Sequence, residues 1–260
     1  MPIANCPLLI VYGLLFIEHN IPYIAAKIKK FLSKTNIHTG LNLKPQYIYL
    51  LASIEGALIM AFELSSARIL SPYFGSSLFT WTSIIGITLF GLSFGYFLGG
   101  YLCNKGKHEL ILLGFFISSI MLMAFSPFYS PFILGKVFEM GIGMGTILSS
   151  LFIVFPVTTL LGGISPLLIQ LLTIQNNLPG KMAGRIYGIS TLSGITSAFI
   201  TGFYFIPYMG IRFSILIVTL LPSVLILVYL LRNKSYLFSM LFFFFVIFQV
   251  SKLNSDDLKP

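Results

Sequence analysis

Long apolar runs separated by short polar stretches dominate the chain from about residue 47 onwards. Each run approaches the roughly 20 residues that a helix needs to cross a bilayer, where every backbone polar group must be paired within the protein. The pattern predicts an all-α, polytopic integral membrane bundle of about seven transmembrane helices, with a range of about six to eight. We place the spans at residues 47–70, 78–103, 110–128, 139–161, 185–207, 213–231 and 236–250.

Prolines and glycines mark the predicted ends of these spans. A turn at Ser71 and Pro72 is expected to close the first span, and Pro127 and Pro131 are expected to close the third, because proline removes a helical hydrogen bond. A Gly-Gly-Ile-Ser-Pro break follows the fourth span and leads into an apolar half-helix at 167–174.

Three regions follow from this pattern. Residues 1–44 are predicted to be a cytoplasmic or interfacial segment, 45–235 the membrane helical domain, and 236–260 a last apolar segment with a polar tail. Within the first region, 7–17 is apolar but short for a span. In 24–34 the apolar residues and the lysines fall largely on opposite helical faces. This fits an amphipathic helix on anionic lipid, or an ordinary basic tail beside the first span.

The composition excludes a soluble domain. Hydrophobic residues make up 57% of the chain and charged residues 9%, whereas soluble domains are about 25% charged. The net charge of +9 is explained by basic loops on one side of a membrane and does not indicate a nucleic-acid partner. Lysines and arginines concentrate in the segments that are inside if the N-terminus is cytoplasmic. The sequence therefore predicts a multi-pass protein of the cell membrane, with its N-terminus inside and lipid as its principal partner.

Acidic and basic residues inside apolar runs are the candidate functional residues. Glu55, Glu63 and Arg68 lie in the first span, and Arg212 precedes the sixth on the same predicted side. Ionisable groups at the bilayer centre cost on the order of 3 kcal/mol each, so they mark functional sites by default. Two carboxylates suit a cationic ligand or a proton relay, with Arg212 a candidate partner for Glu63. The alternative is that these groups only hold helices together.

A second basic pair, Lys181 and Arg185, lies at the predicted inner start of the fifth span. Arg185 at a helix N-terminus would oppose the helix dipole and would favour an anion or carboxylate there. The alternative is an ordinary cytoplasmic anchor.

Glycines at intervals of four predict close helix packing. They are Gly91, Gly95 and Gly99 in the second span, and Gly194 and Gly202, with Ala198 between them, in the fifth. Small residues at this spacing let helix backbones approach. The cysteines and histidines show no metal-ligand spacing, and we find no catalytic triad or phosphate-binding loop. We therefore predict no metal, no cofactor and no catalytic residue.

The two halves of the predicted membrane domain contain similar short sequences at corresponding span ends. The first span ends in Ile-Leu-Ser-Pro and the fourth in Gly-Ile-Ser-Pro, and the second and fifth both end in an aromatic-glycine stretch followed by a basic residue. Three spans plus three would form an inverted repeat, as in many transporters. Chance resemblance between apolar sequences is the alternative.

Taken together, the motifs resemble the membrane portion of the spermidine-synthase-like membrane proteins, which join a transporter-like membrane part to a soluble synthase domain. The matching pieces occur in order over about residues 45–232. They are E-x7-E-L-x3-R-I-L-S-P-Y-F-G-S-S from Glu55, Trp81, GLSFGYFLGG from Gly91, LLGGISPLL from Leu160, GRIYGISTLSG from Gly184 and GFYFIPYMGIR from Gly202. The exit of the second span also resembles the major-facilitator loop motif, with Asn104 where an aspartate is usual.

The resemblance implies a function but not catalysis. The family's synthase domain, with its catalytic acids, has no counterpart among the motifs of this chain. We therefore expect a membrane anchor or partner of a separate synthase-like protein that also handles a polyamine. The alternative from Glu55, Glu63 and the repeat is a small cation or polyamine transporter, or a half-transporter resembling half of a major-facilitator protein, that acts as a homo-oligomer.

Overall fold

The computed structural model describes residues 45–103, 108–176, 178–232 and 245. Within these ranges every regular element is helical and no strand occurs, which confirms the all-α prediction for this part of the chain. The helices are α1 (Pro45–Phe74), α2 (Leu78–Cys103), α3 (His108–Val137), α4 (Ile142–Gly162), α5 (Ile164–Asn176), α6 (Pro179–Ile200) and α7 (Ile206–Arg232), with a 3-10 turn at Phe138–Met140 and a π-helical turn at Thr201–Phe205.

The described residues hold five helical stretches that are long and apolar enough to cross a membrane: Pro45–Phe74, Leu78–Cys103, Leu110–Met140, Ile142–Gln175 and Pro179–Val228. A membrane-embedded helical protein is therefore confirmed by length and composition. The last stretch has 50 residues. Straight, it would measure about 75 Å, more than twice the roughly 30 Å hydrocarbon core. Gly210, with φ 78° and ψ 172°, interrupts it and divides it into two segments.

The predicted total of about seven helices stays a prediction. Residues 7–17 and 24–34 lie outside the described residues, and within the predicted last span only Phe245 is described. The Phe245 ring is buried, with its centroid 5.8 Å from that of Phe125 in α3.

Helices α1 and α3 run on through the prolines that were expected to end them, so those predicted ends are wrong. Pro72 lies inside α1, and the chain turns instead at Gly75, whose φ is 72°. In α3, Pro127 has no N–H for the carbonyl of Met123. The Ser126 hydroxyl donates to that carbonyl oxygen at 2.7 Å. Because a hydroxyl replaces the missing donor, the helix continues without an unsatisfied group there.

The fourth span also differs in its limits. Its predicted first residue, Glu139, lies in the 3-10 turn, and α4 begins after Gly141, whose φ of 82° favours glycine. The predicted break at its end is slight, since Gly163 keeps a right-handed conformation (φ −66°, ψ −14°). The predicted half-helix lies within α5, which begins earlier, at Ile164.

Two pairs of parallel helices form the centre of the bundle. Helix α2 lies along α4, because Ser83 Oγ and Thr146 Oγ1 are 2.9 Å apart near their starts and Gly99 lies against Gly163 near their ends.

Helix α6 lies along α1 in the same manner. Arg185 Nη1 donates to Tyr49 Oη early in both helices, and Gly194 meets Met60 further along.

The two pairs meet where α1 crosses α4 and α5 in the opposite direction. The Phe74 ring, at the end of α1, lies against Gly145 near the start of α4. Glu55, in the first half of α1, meets Ser165 at the start of α5. Helix α3 packs against α4, and α7 packs against α3 and α1. This arrangement encloses the side chain of Glu55.

Candidate functional site

Glu55 is the centre of the candidate site. Its side chain is 1% exposed, and the Ser165 hydroxyl donates to Glu55 Oε1 at 2.7 Å. The second carboxyl oxygen, Oε2, is buried and has no hydrogen-bond partner among the residues that the structure describes. Buried polar groups are almost always paired. A carboxyl group with one oxygen bonded and the other free can accept a proton or contact a cation.

Local sequence explains why Glu55 is enclosed. The next residue, Gly56, faces α6, and a side chain at that position would overlap the backbone of Ser190. The missing side chain therefore lets α6 approach α1 beside the carboxyl group. On the opposite side, the junction between α4 and α5 at Gly163 places Ser165 within reach of Glu55.

Two tyrosines, one on α2 and one on α6, have their rings in contact with each other. The Tyr96 and Tyr187 ring centroids are 6.3 Å apart at an interplanar angle of 76°. Their side chains are 37% and 43% exposed, so both reach the surface of the described bundle. The carboxyl group is thus buried, whereas the tyrosine pair lies at the surface of the described bundle.

The other acidic residue of the first span, Glu63, lies two turns further along α1 and is half-buried. Arg68 and Arg212 are exposed. Among the described residues no ion pair joins Glu63 to either arginine. The structure therefore does not bring the four predicted residues together, and only Glu55 belongs to the site.

The basic pair lies near the start of α6. Lys181 is exposed in the first turn. Because α6 begins at Pro179, Arg185 falls in its second turn and not at its N-terminus, and its guanidinium donates to Tyr49 Oη at 3.3 Å. The dipole argument for an anion therefore applies weakly to Arg185, since the effect fades within the first turn.

The predicted packing glycines lie at helix contacts of differing closeness. Side chains at Gly91, Gly95 and Gly99 would overlap Thr158, Thr159 and Gly163 in α4 and the loop after it. At Gly194 the nearest atom would be the Met60 Cγ at 3.0 Å, while Gly202 has only Leu64 within reach, at 3.6 Å.

Sequence reasoning did not assign Ser165, Tyr96 or Tyr187 to the site, although each lies in a quoted motif. A serine in an apolar segment most often bonds its own helix, and a tyrosine is common at membrane interfaces. A buried carboxyl group such as Glu55 needs hydrogen-bond partners. Polar residues of the other quoted motifs were therefore the candidates to search. Among the described residues no group of three or more His, Cys, Asp or Glu is arranged to hold a metal ion.

No protein-family model, curated protein or solved structure matches the chain. The resemblance to the spermidine-synthase-like membrane proteins therefore stays a prediction from its motifs.

Proposed function

We propose that the chain is a multi-pass membrane protein that binds a cation at Glu55 and acts as a small transporter or half-transporter. The observation that carries this proposal is the free, buried Oε2 of Glu55. An ionised carboxylate in an apolar bundle is costly without a compensating charge. A bound proton or cation supplies that compensation. A carboxyl group that served only to hold α1 against α5 would need the Ser165 bond alone.

The helix arrangement supports the same proposal. Helices α1 and α6 form one parallel pair, and α2 and α4 form the other. An inverted repeat of three plus three spans relates the first span (α1) to the fourth (α4), and the second (α2) to the fifth (α6). It would therefore relate the α1–α6 pair to the α4–α2 pair. Glu55 and Ser165 lie where the two pairs meet. In repeat-built transporters the substrate site also lies at the repeat interface.

The motif series supports a second candidate function. Glu55, Tyr96, Ser165 and Tyr187 each come from a different piece of the resemblance to the spermidine-synthase-like membrane proteins, and they form two contacts between pieces, Glu55 with Ser165 and Tyr96 with Tyr187. On this proposal the chain is the membrane partner of a separate synthase-like protein, and the cation is a polyamine. It would reside in the cell membrane with its N-terminus cytoplasmic, as a homo-oligomer or with that partner.

The cation proposal is tested by thermal unfolding of the purified chain in detergent, with and without spermidine or Na⁺. The wild type should be stabilised by at least one cation, because a ligand that binds only the folded state shifts the unfolding equilibrium. Glu55→Gln keeps the size of the side chain and should abolish that shift. Glu63→Gln, on the same helix outside the site, is the matched control and should retain it. A wild type that no cation stabilises would contradict the proposal.

Transport and partnership need separate measurements. Uptake of the stabilising cation into liposomes containing the wild type, and its loss in Glu55→Gln, supports the transporter. Affinity purification from native membranes supports the partner proposal if mass spectrometry identifies a synthase-like protein in stoichiometric amount. Absence of uptake above that of empty liposomes argues against transport by this chain alone.

A further inference from the structure

The enclosed carboxyl group of Glu55 has a single hydrogen-bond donor. The Ser165 hydroxyl donates to Oε1, while Oε2 is buried and has no partner within the described ranges. The Glu55 side chain is 1% exposed, so it gains almost no hydration from outside the bundle. An ionised carboxylate is not stable in such surroundings without a compensating charge. The conformation that encloses Glu55 is therefore suited to the neutral, protonated carboxyl group.

Neighbouring helices bring no compensating charge to Glu55. Helices α2, α4 and α5 contain no Asp, Glu, His, Lys or Arg. The charged residues and histidines of the other helices that pack on α1 all lie within about two turns of a helix end. They are His108, Glu109 and Lys136 in α3, Lys181 and Arg185 in α6, and Arg212 and Arg232 in α7. Arg185 bonds Tyr49, about 9 Å before Glu55 along α1. The phenols of Tyr96 and Tyr187 belong to a class that ionises only near about pH 10.

Helix packing also separates Oε2 from a cation in this conformation. Oε2 itself is buried. Next to it on α1, a side chain at Gly56 would overlap the backbone of Ser190 on α6, and on the other side Ser165 of α5 contacts the carboxyl group. A cation therefore reaches Oε2 only when α1 separates from α5 or α6. In that open conformation the carboxyl group is hydrated, so its proton can leave and a cation can take its place.

We infer that the transporter exchanges its cation for a proton at Glu55. This inference rests on the cation site proposed above. In the exchange the O–H bond of the carboxyl group breaks, the electron pair stays on the carboxylate, the proton passes to water and the cation binds the carboxylate. The site can then close around either the cation or the proton, because each compensates the carboxylate charge, whereas the empty carboxylate favours the open, hydrated conformation. Cation movement in one direction is thereby coupled to proton movement in the other.

Proton release on cation binding tests the exchange. The measurement is calorimetric titration of the full chain in detergent with Na⁺ or spermidine, from pH 5 to 8, in two Na⁺-free buffers of different ionisation enthalpy. The wild type should release about one proton per bound cation while Glu55 is protonated, and over that range its affinity should rise about tenfold per pH unit.

Three variants identify the group that releases the proton. Glu55→Gln should neither bind the cation nor release a proton. Glu63→Gln and His108→Gln are the matched controls, because each removes another titratable group and leaves Glu55 in place. Both should release protons as the wild type does. In liposomes containing the wild type, an acidic interior should accelerate uptake of the cation, and the internal pH should rise as the cation enters.

The outcomes distinguish this inference from the proposal on which it rests. If the wild type binds neither Na⁺ nor spermidine at any pH, the Glu55 site itself is refuted. If a cation binds without proton release and with constant affinity from pH 5 to 8, the cation site stands and the exchange is refuted. Cation binding that persists without proton release in Glu63→Gln or His108→Gln also refutes the exchange at Glu55, because the proton then comes from another group. Uptake that is independent of the pH gradient likewise refutes it.

Discussion

At the scale of residues, the Glu55–Ser165 hydrogen bond joins two helices that are far apart in sequence. The two residues are separated by 110 positions, and both are buried. Several other described hydroxyl groups bond carbonyl oxygens of their own helix, as those of Ser65, Thr158 and Ser223 do. Ser165 is different because its hydroxyl donates to an acidic group on another helix and so joins α5 to α1.

Ser165→Ala should lower the free energy of unfolding by about 1–3 kcal/mol, because it leaves both oxygens of a buried carboxyl group without a donor. Chemical unfolding in mild detergent measures this. Ser193→Ala is the control, since the Ser193 hydroxyl bonds only carbonyls of its own helix. Ser165→Thr keeps a hydroxyl and should recover much of the loss. Equal stability of the two alanine variants would mean that the hydrogen bond to Glu55 contributes nothing.

How much of the site could be predicted depended on the residue type. Glu55 was recognisable because a carboxyl group in an apolar run is rare and costly. Glu63 and Arg68 share that property, yet Glu63 is half-buried and Arg68 is exposed on α1. The sequence could not separate them from Glu55, because the apolar pattern of a span does not show which of its sides meets the neighbouring helices. The partnership of Ser165 with Glu55 is evident only from a contact between helices.

At the scale of elements, the proline positions show how helices in lipid differ from the soluble pattern. In water a helix that loses a donor can end and expose its carbonyls, and this expectation placed the ends of the first and third spans too early. In an apolar surrounding an exposed carbonyl has no water to bond. Neighbouring hydroxyl groups supply the missing donor, as Ser126 does for Met123 at Pro127.

If Ser126 replaces the donor that Pro127 lacks, the loss of stability in Ser126→Ala should depend on whether residue 127 is proline. Ser126→Ala should destabilise the protein by about 1–3 kcal/mol, since the Met123 carbonyl loses its donor. In a Pro127→Ala background the new backbone N–H can bond that carbonyl, so Ser126→Ala should cost much less. Unfolding free energies of the four proteins in the double-mutant cycle measure the coupling. Additive effects would show that Ser126 does not replace the donor that Pro127 lacks.

Glycine contacts set the distance between α2 and α4. Gly95→Leu should destabilise the protein by at least about 1–3 kcal/mol, because the added side chain would meet the backbone of Thr159 and Gly163, which cannot move aside as a side chain can. Gly100→Leu is the matched control, because nothing lies within 4 Å of a Cβ at that position. Thermal unfolding and folded yield in detergent compare the two. If Gly100→Leu were as harmful, the loss would reflect helix propensity or insertion and not packing.

At the scale of the whole molecule, the contacts fix which helix ends lie together, while loop charge predicts which end faces the cytoplasm. The turn between α1 and α2 at Gly75 lies near the start of α4, because Phe74 reaches Gly145 and Phe138. The starts of α1 and α6 lie at the opposite end of the bundle.

This arrangement makes the predicted orientation testable with two single cysteines in a background of Cys6→Ser and Cys103→Ser. Ser76→Cys lies in the α1–α2 turn and Lys181→Cys in the first turn of α6, so the two positions belong to opposite ends. If the N-terminus is inside, a membrane-impermeant maleimide added to intact cells should label Ser76→Cys and leave Lys181→Cys unlabelled until the membrane is permeabilised. The reverse pattern would invert the orientation. Equal labelling of both positions in intact cells would mean that these ends do not lie on opposite sides of a membrane.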